Sequence, residues 1–100
     1  MGSGVLKRYS AQYTGTGVAF DIVLDFTPRV VTIRNVTDLI ISMKNQTDPD
    51  ANHTTIINHA DTQIVLVTSN GITIAERKIT IGTDASINTS ASICRIVAEE

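Results

Sequence analysis

The sequence predicts an all-β fold, a single-domain antiparallel β-sandwich of about seven to eight short strands. Three observations lead there. Isoleucine, valine and threonine supply 14, 9 and 14 of the 100 residues, an excess of β-branched side chains that suit a pleated surface and lose χ1 freedom in a helix. Apolar residues recur with a period of two, punctuated by turn residues at intervals of about ten. No stretch sustains a 3.6-residue period between caps, so no helix is expected. One hundred residues make one domain with a single modest core.

Residues 1–8 read as a flexible N-terminal arm and 9–100 as the sandwich. Tyr9–Thr14 is a first strand, closed by Gly15-Thr16-Gly17. Val18, Phe20, Ile22 and Leu24 then alternate with Ala19, Asp21, Val23 and Asp25, which gives one apolar face. Pro28 ends this strand or holds it at an edge, because proline removes a ladder donor. Arg29–Val36 and Asp38–Lys44 follow. Their pairs Val30-Val31 and Ile40-Ile41 point to opposite faces, so cover is expected on both sides, from a second sheet or a neighbouring subunit.

Lys44–His53 is the long polar stretch and must be a loop. Thr54–Asn58 is a short strand or one helical turn. Gln63–Thr68, with Ile64-Val65-Leu66-Val67 at its heart, is expected to be the best-buried strand. It feeds Asn70-Gly71, the dipeptide suited to the two positive φ angles of a type I′ turn, so a two-residue hairpin is expected there. A further strand carries Ile79 and Ile81, and Gly82-Thr83-Asp84-Ala85 turns the chain. The last strand places Ala91, Ile93, Arg95 and Val97 on one face and Ser92, Cys94, Ile96 and Ala98 on the other.

Composition narrows the function. A formal charge of −2 sets up no long-range attraction for nucleic acid, and with no Trp the stacking aromatics are Tyr9, Tyr13, Phe20 and Phe26 alone. Cys94 is the single cysteine, so no intrachain disulfide forms, and its apolar strand marks it as a small buried hydrophobe. No run approaches the ~20 apolar residues of a membrane span, no secretory signal pattern opens the chain, and Leu6 stands where a myristoylation motif needs Ser or Thr. The four N-x-S/T triplets, at Asn35, Asn45, Asn52 and Asn88, are what so much threonine produces, and none is read as glycosylated.

Candidate chemistry reduces to bland readings. Asp48, Asp50 and Asn52 match the opening of a calcium loop, but His53 replaces its turn glycine and His59 its closing glutamate, so a solvated loop is expected. His53, His59 and Asp61 lack metal-ligand spacing, and no serine sits in a nucleophile elbow. Lys78 beside Arg77 reads as a charged strand edge that discourages aggregation. No catalytic residue, metal or cofactor is expected.

Two segments carry a resemblance. The first is Y-T-G-T-G-V-A-F-D-I-V-L-D-F-T-P-R-V-V-T-I-R-N, Tyr13 to Asn35. The second is I-T-I-G-T-D-A-S-I-N-T-S, Ile79 to Ser90, with the closing R-I-V-A of Arg95 to Ala98. Together they cover about half of the chain and resemble a small β module of tailed-bacteriophage virion proteins, found in tail fibres and appendages. The family patterns are Y-T-G-N-G followed by L-G-F-x-P-x-x-V-x-I-K, and F-x-V-G-x-D-x-x-V-N-x-S-G-x-x-Y-x-W-I-A-F. This chain departs from them: Asp25 and Ala91 replace glycines, and Cys94 and Ile96 stand where aromatics are usual.

The resemblance implies a structural, non-enzymatic virion protein, commonly a homotrimer. Because the module fills nearly the whole chain, the expected function is a capsid decoration or cement protein that binds the particle surface. The alternative is a tail-fibre or appendage module that binds a receptor carbohydrate. Expected partners are other copies of the chain and the major capsid or other virion proteins, with no nucleic acid and no membrane. The expected location is the virion, at the capsid surface or the tail, after synthesis in the host cytoplasm. Assembly contacts are expected on the arm, at Val5, Leu6, Lys7 and Arg8, and on the polar loop, at Lys44, Asn45, Asp48, Asp50, Asn52 and His53.

Overall fold

A computed structural model describes residues 7–46, 54–58, 63–67 and 69–100. Among the described residues the β-branched segments become nine strands: β1 (Arg8–Thr14), β2 (Phe20–Val23), β3 (Val30–Asn35), β4 (Ile40–Asn45), β5 (Thr54–Asn58), β6 (Gln63–Val67), β7 (Ile72–Ala75), β8 (Lys78–Ile81) and β9 (Ile93–Glu99). One helical turn, α1 (Ala85–Asn88), precedes β9. The strands form two antiparallel sheets, a six-stranded one ordered β1-β9-β3-β4-β5-β6 and a three-stranded one ordered β2-β8-β7. The expected all-β sandwich is the fold of this chain.

Period-two alternation decides which residues meet between the sheets. From the larger sheet come Val31 and Ile33 of β3 and Cys94, Ile96 and Ala98 of β9, all fully buried. From the smaller sheet come Ile72, Ile79 and Ile81, and Leu24, Phe26 and Ile87 complete the cluster. Tyr9, Ala11 and Tyr13 of β1 lie against this core, and the Tyr13 and Phe20 rings meet edge to face with centroids 5.1 Å apart. Val18 is 67% exposed and precedes β2, so the alternation expected from Val18 onward begins only at Phe20.

Four further expectations are corrected. Asn70-Gly71 makes no hairpin, because β6 and β7 belong to different sheets and this corner carries the chain from one to the other. Of its two residues only Asn70 has a positive φ, 59°. Long-range hydrogen bonds fix the crossing: Asp84 N donates to Asn70 O (2.9 Å), Gly82 N to Gly71 O (2.9 Å) and Ile72 N to Thr54 Oγ1 (2.9 Å). The close approach requires Gly82, since a Cβ there would overlap the Asn70 carbonyl. The tight hairpin lies one strand later, where Glu76-Arg77 joins β7 to β8 with Arg77 at φ 56°.

The strand expected to be best buried, β6, lies at the end of the larger sheet with Ile64 76% and Leu66 54% exposed. A helical turn does form, because Asp84 caps it by accepting from Ser86 N at 2.9 Å. Lys78 is not at an edge either: β8 is the central strand of its sheet, and Lys78 Nζ lies 3.8 Å from Asp21 Oδ2 across the β2–β8 pair.

Candidate functional site

The two segments that carried the resemblance meet at one end of the sandwich. Asn88, wholly buried at the end of α1, joins them. Its Oδ1 accepts from Thr16 N (2.9 Å) and Gly17 N (3.4 Å), and its Nδ2 donates to Val18 O (2.8 Å) and Gly82 O (3.0 Å). The loop after β1 is thereby tied to the corner after β8. Gly15 is needed because a Cβ there would overlap the Thr89 carbonyl, and Ala91 N donates back to Gly15 O (2.9 Å). Ala91, which stands where the resembled pattern has glycine, adopts φ 69°, a left-handed conformation that glycine takes without strain.

Tyr13 Oη donates to Ile87 O (2.6 Å), and Cys94 Sγ contacts the same carbonyl at 3.6 Å. Burial pushes the Tyr13 phenol far above its ordinary range, and the neighbouring Cys94 adds to the rise. Burial also pushes the Cys94 thiol up, which a hydrogen bond with Tyr13 partly offsets while the charge of Asp38 adds to it. Asn35, also fully buried, holds the β3–β4 turn: its Oδ1 accepts from Thr37 N and Asp38 N, and its Nδ2 donates to Asp38 Oδ2 and Ser86 O. These groups are held by partners inside the fold and serve its architecture.

The surface with unspent capacity is the outer face of the larger sheet. Register places Ile41 and Met43 on one face of β4, and aligns Ile41 through Ile57 with Ile64 of β6. Met43 aligns likewise through Thr55 with Leu66, so the β4 and β6 side chains stand ~10 Å apart on one side of the sheet. Leu39 is 60% exposed at φ 59°, an unusual conformation for a branched residue, beside an apolar depression of about 280 Å³ lined by Arg34, Asn35, Val36, Ile40 and Ile41. Toward β1 the same face becomes cationic, with Arg8, Arg34 and Arg95 around Thr32 and Val97.

Of the residues expected at assembly contacts, Val5, Leu6, Asp48, Asp50, Asn52 and His53 lie outside the described residues, as does His59. Arg8 opens β1 and pairs with Glu99 of β9, and Lys7 just precedes the strand. Lys7 N donates to Glu100 Oε1 (3.2 Å), and Lys7 Nζ bridges to Asp25 (3.3 Å). Lys44 is buried on the inner side of β4 and Asn45 is exposed at its end. Ser42 Oγ, on that inner side, is buried without a hydrogen-bond partner among the described residues. Among the described residues no group of three or more His, Cys, Asp or Glu is placed to hold a metal ion, and no helix is long and apolar enough to cross a membrane.

The outer-face residues escaped sequence reasoning because a face acquires its neighbours only through strand order. Arg34 and Arg95 each interrupt an apolar strand, and that was the available signal. A comparison with protein-family models finds no match, and searches among curated proteins and among solved structures find none either.

Proposed function

We propose that the protein is a structural component of a tailed-bacteriophage virion, a capsid decoration protein that works by covering its own exposed sheet face against neighbouring copies or the shell. The observation that carries this reading is the set of exposed apolar side chains Met43 of β4 and Ile64 and Leu66 of β6, with Leu39 in the turn before β4, each at least 39% exposed. Apolar surface gathered on one side of a sheet is stabilised by contact with a partner, at about 25 cal/mol per Å² removed from water. The phage setting rests on the resemblance of the Tyr13–Asn35 and Ile79–Ser90 segments. The interlocking of those segments through Asn88, Gly15 and Gly82 supplies a physical reason for residues in the resembled pattern.

The test is electron microscopy of phage particles that carry an epitope-tagged copy of the chain. Label spread over the head supports the decoration reading. Label confined to the tail overturns it in favour of the fibre alternative, and particles without label overturn the virion assignment altogether.

A further inference from the structure

Arg34 of β3 and Arg95 of β9 are register partners on adjacent antiparallel strands, which sets their Cα atoms about 5 Å apart on the same face. Like charges directly opposite one another across a sheet repel. Gln12 is the register partner of Arg95 on β1, and Arg8 comes from the same strand four residues before it. The three arginines, with Thr32 and Val97, line one depression of about 300 Å³. The ion pairs among the described residues are Lys7–Asp25 and Lys78–Asp21, and neither involves these arginines. Glu99, the register partner of Arg8, is the nearest acidic position along β9, and it forms no ion pair with any of them.

We propose that this depression is a binding site for a tetrahedral oxyanion, phosphate or sulfate, free or as an ester on a larger molecule. Three guanidinium forks arriving from three strands offer more donors than the two oxygens of a carboxylate can accept, and a tetrahedral oxyanion with up to four oxygens matches them better. Thr32, which also lines the depression, carries a hydroxyl that can act as a further donor. An anion seated there also removes the Arg34–Arg95 repulsion, so binding and sheet stability are coupled. The site lies on β1, β9 and β3 and adjoins the apolar row at Arg34, which also lines the depression beside Leu39, but anion binding there does not depend on the assembly reading.

The experiment is thermal unfolding and calorimetric titration in a phosphate-free, low-salt buffer, on the full chain and on the variants R34Q and R95Q. Inorganic phosphate or sulfate at about ten times Kd should raise the Tm of the unmodified chain by roughly 5–7 °C. Each variant should bind at least about tenfold more weakly, yet melt higher than the unmodified chain when no anion is present, which a purely structural role for either arginine would not produce. A sulfated disaccharide that binds tighter than inorganic sulfate identifies an ester as the natural ligand, and equal or weaker binding identifies the free ion. Glutarate binding as tightly as phosphate overturns the tetrahedral assignment. Phosphate and sulfate that leave both heat and Tm unchanged overturn the site.

Discussion

Replacing Asn88 with alanine removes four hydrogen bonds at one stroke, and the structure fixes how much each is worth. Gly82 O sits in a buried bond and loses its donor, at about 1–2 kcal/mol for a buried acceptor left unpaired. Thr16 N borders solvent and can recover water, Gly17 N keeps its 2.8 Å bond to the Asn88 backbone carbonyl, and Val18 O keeps the Thr16 hydroxyl, so each adds only about 0.5 kcal/mol. The sum is about 3 kcal/mol, a large share of the 5–15 kcal/mol that holds a domain folded, and about a 15 °C fall in Tm for a chain of this length. Urea unfolding followed by circular dichroism measures it as a lowered midpoint at unchanged slope. Asn88→Asp gives the companion measurement. A carboxylate facing the Val18 and Gly82 carbonyls has its pKa raised in the folded state, so the deficit relative to wild type should shrink from pH 7 to pH 4. A loss below about 1 kcal/mol for the alanine variant would refute Asn88 as the tie between the two loops.

Other substitutions test neighbouring steps. Ala91→Gly should raise stability by about 0.5–1 kcal/mol, because relief at φ 69° outweighs the entropy glycine adds to the unfolded chain, and the same urea titration reads it. Gly82→Ala should cost at least about 3 kcal/mol or abolish folding, since its Cβ has only the Asn70 backbone to displace; a soluble variant with the wild-type midpoint would contradict the sheet crossing. The raised Tyr13 and Cys94 pKa values mean that the unfolded chain releases these protons first. Their contribution is therefore complete below the unfolded Cys value of about 8.5, and stability should decline as pH rises above it and fall faster beyond about 10. Cys94→Ala should flatten the first part of that decline, as followed by Tm against pH.

Much of the fold was legible because burial in a sheet has a period of two and side chains such as Val31, Ile33, Ile79, Ile81, Cys94 and Ile96 keep it without interruption. The failures share a cause. Asn70-Gly71 has strong local turn chemistry, yet which strands it joins is decided by backbone packing against Gly82 and Asp84, residues distant in sequence. Ile64 and Leu66 look like core by composition, and only strand order places them on an outward face at the end of the sheet. The turn at Glu76-Arg77 carries no Gly, Asn or Pro to announce it, and α1 is too short to display a helical period behind its Asp84 cap. The same limit hid the Arg34–Arg95 pair, which exists only once β3 and β9 are known to be neighbours.

The outward apolar side chains Met43, Ile64 and Leu66 form the proposed surface for assembly. Sedimentation velocity of the unmodified chain and of an Ile64→Lys/Leu66→Lys double variant, over a hundredfold concentration range, addresses it directly. The prediction is reversible association of the unmodified chain and a monomeric variant whose Tm is unchanged or shifted only slightly, because both positions are exposed. An unmodified chain that stays monomeric throughout, or a variant that associates equally well, would contradict it.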